Sequence, residues 1–223
     1  FPTLAADFPS ERIGFSANGT WLAGVKTDNH FGRHLAAVVH LPTGRRSVPV
    51  HATSQEFRWD PHCVDVSVSG RYLLMTREIW DLQADPPALV WRAPPDRNRR
   101  LNPIHGTTYR WGALWPDERH VVVAQDASFQ LWDFLENRLL ATLYRTGDTV
   151  DDWIFVNEQT RHFSAAPNSE VFVRLTHPKA GPDDPPLSPT EYRRKYGWKP
   201  NPAKVPLNLP PPAADSPRES AAN

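Results

Sequence analysis

Apolar and polar positions follow the same order three times along the chain. An apolar stretch leads into a short polar turn and then into a second apolar stretch, at residues 13–25, 64–76 and 111–124. Short apolar stretches bounded by turn residues favour β-strands over helices. Asn18-Gly19 and Ser69-Gly70 tolerate the positive φ that a tight reversal requires, and Pro116-Asp117 suits a type I turn. Each segment is therefore predicted to be a β-hairpin.

A third and a fourth strand are predicted after each hairpin. The third strands fall at residues 35–41, 77–82 and 129–134. Two of them carry a Trp-Asp pair, Trp80-Asp81 and Trp132-Asp133. After a short turn the fourth strands follow, at residues 47–50, 88–91 and 138–143. The chain thus repeats a four-stranded unit three times.

This order of strands resembles the WD40 repeat, in which a hairpin, a strand ending in Trp-Asp, a turn and a further strand form one blade. Residues from about 11 to 146 are similar to three divergent WD40 repeats. The first has His40-Leu41 in place of Trp-Asp, and His105-Gly106 precedes the third in the reverse of the usual Gly-His order. The resemblance implies an all-β fold of propeller blades. An antiparallel sandwich of short strands is the alternative.

The segment after the third repeat begins like a fourth blade, at residues 151–156. Together with residues 161–175 and 191–196 it resembles the C-terminal end of bacterial WD40 proteins. The turn at residues 157–160 lacks the glycines usual there. Such proteins often join the propeller to a caspase-like peptidase, an NTPase or a kinase. The resemblance therefore implies a propeller that accompanies an effector domain.

Proline density divides the chain into three parts. Residues 1–10 are expected to connect blades, residues 11–177 to form the blades, and residues 178–223 to form a proline-rich tail. Pro189 suits the first position of a helix and Ser188 suits its cap, so one short helix is predicted at residues 188–196. The rest of the tail is expected to be extended or disordered.

The number of blades leads to a prediction about a partner. Propellers close with about four to eight blades, whereas this chain supplies three and part of a fourth. It also starts at Phe1 rather than at methionine. We therefore expect a C-terminal portion whose partner, the N-terminal half of the same protein, completes the ring.

Charge and cysteine content narrow the functional classes. The chain has 25 basic and 25 acidic residues among 223, so its formal net charge is zero. Such a balance predicts neither a nucleic-acid partner nor a charge-driven membrane contact. No apolar run reaches the roughly 20 residues of a membrane span. One cysteine, Cys63, excludes an internal disulfide and fits either a reducing compartment or indifference to redox. We expect a cytoplasmic location.

Residues with catalytic or ligand-binding chemistry are scattered. His62 and Cys63 are neighbours, and neighbours on a strand point to opposite faces, so they form no dyad by spacing. His30 and His34 lie around a glycine in a predicted hairpin and do not have the spacing of a metal site. The acidic pairs at 151–152 and 183–184 are adjacent rather than convergent. We predict no catalytic, cofactor or metal residues and no enzymatic activity.

Partner binding is predicted at six residues. A long inter-blade loop carries three arginines, a residue type favoured at interfaces, and three tryptophans elsewhere could serve as anchors. These residues are Arg97, Arg99, Arg100, Trp59, Trp111 and Trp115. The alternative for the tryptophans is packing between blades.

The leading hypothesis is a non-catalytic binding and regulatory propeller that controls an effector such as a caspase-like protease. A first alternative is an enzyme with its active site in the propeller channel, which predicts converging polar residues at the channel mouth. A second is a passive assembly scaffold that docks through its tail.

Overall fold

Antiparallel β-strands dominate the computed structural model. It describes residues 8–9, 11–28, 33–47, 49–53, 63–75, 77–94, 109–125, 128–146, 152–166, 169–170, 173, 175, 185–199 and 201–207. The chain divides into two units. Unit 1 comprises residues 1–126, 132–138 and 209–223, and unit 2 comprises residues 127–131 and 139–208. Each unit is described by itself.

Two four-stranded sheets of unit 1 have the strand order of propeller blades. The first contains β1 (Arg12–Phe15), β2 (Trp21–Asp28), β3 (Arg33–His40) and β4 (Val50–Thr53). The second contains β5 (Val64–Val66), β6 (Tyr72–Met75), β7 (Glu78–Asp81) and β8 (Ala88–Arg92). In each sheet the strands pair antiparallel in chain order. The predicted all-β fold of four-stranded blades is confirmed.

The third sheet is longer than a blade. Its strands are β9 (Tyr109–Leu114), β10 (His120–Gln125), β11 (Ser128–Asp133), β12 (Arg138–Arg145), β13 (Trp153–Asn157) and β14 (His162–Ala165), bonded in chain order. The expectation that residues 151–156 begin a separate fourth blade is corrected, because β13 pairs with β12. Their connection is short, and the Thr146 amide closes it by donating to the Asp152 carbonyl at 3.0 Å. A short connection favours an antiparallel neighbour.

The outer strand of the first sheet begins later than predicted. The sequence pattern placed it at residues 47–50, whereas β4 runs from Val50 to Thr53. Pro49 lacks the N–H that pairing with β3 requires, which explains the delay. Before it, Arg46 forms an isolated bridge with Val39. The other two fourth strands, predicted at 88–91 and 138–143, lie within β8 and β12.

The core of unit 1 lies between sheets that pack face to face. One cluster joins four side chains of β2 and β3 to three of β5 and β6: Ala23, Val25, Ala36, Val38, Val66, Leu73 and Met75. A second cluster joins the other face of the second sheet to Val121, Val123 and Phe134. The second sheet is therefore covered on both faces, as blades are and as a two-sheet sandwich is not. Each buried Val, Leu, Met or Phe side chain among them contributes about 1.5–3 kcal/mol.

Unit 2 contains the predicted tail helix. Helix α1 spans Pro189–Tyr196, with Ser188 as the N-cap and Pro189 in its first turn. The Glu191 amide donates to the Ser188 hydroxyl while the Glu191 carboxylate accepts from the Ser188 amide, so both bonds of a capping box are present. The helix lies within residues 188–196, where the sequence placed it. No helix in the described ranges is long and apolar enough to cross a membrane.

The tail beyond the helix is attached to the β13–β14 hairpin. The Trp198 ring stacks on Phe163, with centroids 5.8 Å apart. The Thr160 hydroxyl donates to the Lys204 carbonyl at 2.6 Å, and the Asn157 amide group donates to the Val205 carbonyl at 3.2 Å. A short 3₁₀ helix, Pro202–Lys204, lies between these contacts. The described part of the tail is thus packed on unit 2.

Candidate binding surfaces

The aspartates of the two Trp-Asp pairs close the ends of their strands. In the second sheet, Arg71 Nε and Nη2 donate to one oxygen of Asp81 at 3.1 and 2.8 Å. The other oxygen accepts the Gln83 amide at 2.9 Å. In the third sheet, Arg119 donates twice to Asp133 in the same way, at 2.9 and 2.7 Å. Both aspartates are buried and serve the fold.

These contacts keep the aspartates ionised. The hydrogen bond from Arg71 lowers the pKa of Asp81 below its ordinary value, against a smaller opposing effect of burial. Burial alone would raise the pKa of Asp133, but the bonds from Arg119 and from the Glu136 amide lower it overall. Both carboxylates are therefore committed to fixed partners.

The hairpin turns of successive sheets are bonded to one another in unit 1. We call residues 16–20, 67–71 and 115–119 the turn row. The Asn18 side chain donates to the Val68 carbonyl at 3.3 Å. The Glu118 carboxylate accepts from both the amide and the hydroxyl of Ser69, at 2.5 and 2.8 Å. Glu118 occupies the turn position that Gly19 and Gly70 hold in the other hairpins, and its φ is 57°.

A buried histidine–aspartate pair joins Asp117 of the turn row to His120, the first residue of β10. His120 Nδ1 and Asp117 Oδ2 are 2.5 Å apart, and the Asp117 carboxylate also accepts the amides of His120 and Arg119. Three bonds from one carboxylate to its own turn indicate a turn-closing role. Within the described ranges, no group of three His, Cys, Asp or Glu residues could hold a metal ion.

A half-buried carboxylate, that of Asp65, joins the second sheet to β9. The Leu114 amide donates to Asp65 Oδ2 at 2.8 Å, and the Val66 amide donates to Oδ1 at 2.8 Å. Burial raises the pKa of Asp65 despite these bonds. A carboxylate that accepts an amide of the next sheet fixes the approach of the two sheets, so its role too is architectural.

Among the predicted partner-binding residues, the structure describes the side chain of Trp115 alone. Trp115 lies in the turn row and is 39% exposed, so its surroundings allow contact with another protein. Trp111 lies in β9, but its side chain is outside the described part. Trp59, Arg97, Arg99 and Arg100 lie outside the described residues, and the structure brings none of the six together.

The remaining residues considered in the sequence are either buried in the core or outside the described residues. Cys63 is buried, and its neighbour His62 lies outside the described residues. His30 and the side chain of His34 are also outside them, as are Asp151, Asp183 and Asp184. Trp80 packs on the core between the first and second sheets, and Trp132 packs on the core between the second sheet and the third.

One apolar surface was missed by the sequence analysis. Ile13 and Phe15 of β1 are 57% and 55% exposed. Their register partners Gly24 and Leu22 place them on the sheet face that carries Leu22 and Val39. We call this face of the first sheet the open face. Phe8 covers it at Leu22, Ala37 and Val39, while Ile13 and Phe15 stay uncovered.

Unit 2 carries a shallow apolar groove of about 380 Å³. Leu143, Trp153, Phe155 and Ser164 line it. Phe155 pairs with Leu143 on one side and with Ser164 on the other, so the three lie side by side across β12, β13 and β14. The groove offers aromatic and aliphatic contacts.

No protein-family model matches the chain, and no curated protein matches it. Among solved structures, it is similar to the dihydro-heme d1 dehydrogenase NirN in complex with DHE, at 13% identity and a TM-score of 0.42. This likeness covers 71% of the chain and 37% of NirN.

Two further solved structures show a similar degree of likeness. TolB from Acinetobacter baumannii has 12% identity and a TM-score of 0.39, with 73% of this chain and 44% of TolB covered. The WD40 domain of SCAP from fission yeast has 10% identity and a TM-score of 0.36, with 73% and 32% covered. The chain spans less than half the length of each of these three structures.

Proposed function

We propose that this chain is a non-catalytic protein-binding module that regulates an effector domain. The observation that carries the proposal is the open face, where Ile13 and Phe15 stand side by side and more than half exposed. Adjacent large apolar side chains on a sheet face mark a surface that contacts another protein. The sheets beneath them supply a rigid support for such a contact.

The use of the polar side chains supports a binding role. Asp81 and Asp133 each accept bonds from a distant arginine and from one amide of the turn that follows, which commits them to the fold. Asp117 is likewise committed, because it accepts two amides of its own turn. A general base must instead reach a reacting group in a pocket. The groove of unit 2 is lined mainly by apolar side chains, which suits association better than proton transfer.

The partner proposed first is the N-terminal half of the same protein, whose blades complete the array. The effector proposed is a caspase-like protease of a bacterial, cytoplasmic protein, in line with the resemblance of the C-terminal segment to bacterial WD40 proteins. In this arrangement the blades bind or sense a ligand and change the activity of the effector.

The test compares the complete protein with a variant in which a Gly-Ser linker replaces residues 11–207. Peptidase activity on a fluorogenic peptide is measured before and after full activation. We expect the basal rate to change by about 5- to 150-fold, the usual range of coupling between sites, with an unchanged kcat/KM after activation. A basal rate that does not change would contradict the proposal. Leu135→Lys, on an exposed turn, is the control for nonspecific surface change.

A further inference from the structure

Because the sheets of unit 1 repeat one another, each residue of the open face can be compared with the corresponding residue of the second sheet. The amide of Leu41 bonds the Thr20 carbonyl at 2.8 Å, and the amide of Leu82 bonds the Arg71 carbonyl at 2.8 Å. The amides of Ser16 and Ser67 likewise bond the Trp21 and Tyr72 carbonyls. These matched bonds place the two sheets in register with each other. In that register, Phe15 corresponds to Val66 and Ile13 corresponds to Val64.

The residue that corresponds to Phe15 is covered in the second sheet. Val66 is only 2% exposed and belongs to the core shared with Ala23, Val25, Ala36 and Val38 of the first sheet. Val64 packs against the same core. In the second sheet, the residues that correspond to Ile13 and Phe15 therefore contact the preceding sheet.

The third sheet repeats this arrangement. The amide of Trp115 bonds the His120 carbonyl, as Ser16 and Ser67 do in their hairpins, so Leu114 corresponds to Phe15. Leu114 packs against the core that contains Leu74 and Ile79 of the second sheet. Twice in unit 1, then, this position is covered by a preceding sheet, and in the first sheet it is uncovered.

We propose that the open face, through Ile13 and Phe15, docks the last blade of the N-terminal half of the protein. This inference rests on the proposed function, because it locates the contact with the partner named there. The docking blade must present apolar side chains at the four positions that correspond to Ala23, Val25, Ala36 and Val38. The new interface continues the two that unit 1 already contains.

The test uses the full chain and, as a separately expressed probe, the polypeptide that precedes Phe1 in the reading frame. Their Kd is measured by isothermal titration calorimetry. Phe15→Lys and Ile13→Lys are each expected to weaken binding at least ~30-fold, the loss typical of a central interface residue. The matched control is Leu135→Lys, since Leu135 is as exposed as Phe15, at 55%, and lies in a turn off the sheet faces.

Each outcome decides a different point. Binding that is insensitive to both substitutions overturns the docking surface but leaves the proposed partner in place. No binding at all overturns the proposed partner as well. A homodimer of the chain that Phe15→Lys dissociates shows that a second copy covers the face, and it overturns the inference. Circular dichroism of the variants verifies folding, which we expect to be unchanged because both side chains are exposed.

Discussion

The first and second sheets of unit 1 differ in the side chains at one matching place, where the third strand ends beside the start of the second strand. We call this place the corner of the sheet. In both, the amide after the third strand bonds the carbonyl that precedes the second strand. In the second sheet, the ion pair of Arg71 and Asp81 covers this corner. The matched bonds of Leu41 and Leu82 align Val39-His40, rather than the predicted His40-Leu41, with Trp80-Asp81. In the first sheet, His40 therefore takes the place of the aspartate, with its ring 4.5 Å from Trp21 and its Nδ1 2.8 Å from the Thr43 hydroxyl.

This difference shows that backbone hydrogen bonds determine the geometry of the corner, and that the side chains add contacts to it. Two sets of contacts serve the same purpose. The second sheet uses an ion pair and a bond from a backbone amide, and the first sheet uses a ring contact and a bond to a hydroxyl. A Trp-Asp pair is therefore not a necessary sign of a blade. The absence of Trp-Asp from the first repeat has no consequence for its strand order.

The largest expected effect is a difference in unfolding free energy between glycine substitutions in the hairpin turns of the first and second sheets. Gly19 and Gly70 have φ of 69° and 75°. A Cβ on Gly70 would overlap the Trp21 ring, whereas a Cβ on Gly19 would meet open space. Gly19→Ala should cost about 1 kcal/mol of unfolding free energy from backbone strain alone. Gly70→Ala should cost a further ~1–3 kcal/mol from overpacking.

Urea denaturation of both variants measures this difference. Because Gly19→Ala has the same backbone strain, the difference between the variants isolates the contact between the sheets. Equal losses for the two variants would mean that Trp21 moves aside without cost.

The next effect concerns the corners themselves. Asp133→Ala removes the acceptor for Arg119 and for the Glu136 amide in a buried position, and should cost about 2–3 kcal/mol. His40→Ala should cost less than about 1 kcal/mol, because it loses one hydrogen bond and one ring contact. Thermal or urea unfolding compares them. A larger loss for His40→Ala would reverse the ranking of the two supports.

Much of the fold could be predicted from local sequence. Asn18-Gly19 and Ser69-Gly70 specify their turns because few residues accept positive φ, and Ser188 with Pro189 specifies the helix start. Contacts distant in sequence could not be predicted. The bond of Asn157 to Val205 spans 48 residues, and no local pattern encodes it.

The open face could not be predicted for a related reason. Phe15 and Val66 follow the same strand pattern, and their exposure differs only because a sheet packs on one of them. The pairing of β13 with β12 likewise depended on a short connection that the strand pattern did not distinguish from a crossing between blades.

A smaller effect should follow acidification. The lowered pKa values of Asp81 and Asp133 mean that the folded state binds protons less readily than the unfolded state. Their contribution to stability is therefore complete above the unfolded pKa of about 3.9 and is lost as the pH falls through the folded values. Asp65 has the opposite effect on the pH dependence of stability, because burial raises its pKa in the folded state.

Urea titrations between neutral and acid pH would measure this dependence. Asp81→Asn should flatten the acid loss, because it removes one of the lowered carboxylates. His40→Asn, at the corresponding corner of the first sheet, is the control. An acid loss that Asp81→Asn leaves unchanged would assign the pH dependence to other groups.

The smallest expected effect comes from exchanging the supports. Thr20→Arg with His40→Asp places the pair of the second sheet in the first. A double-mutant cycle should show a favourable coupling of about 0.5–1 kcal/mol, since the new pair is largely exposed. The single variants complete the cycle. Zero or unfavourable coupling would show that the two corners differ in geometry as well as in side chains.

The turn row gives these sheets a property that none has alone. The amide of Ser69 is held by a carboxylate from the following hairpin, and the Val68 carbonyl is held by the preceding one. An amide secured in this way exchanges its proton with solvent only when two neighbouring hairpins separate. The three hairpins of unit 1 should therefore open together, so that a disturbance at one end reaches the other without passing through the apolar core.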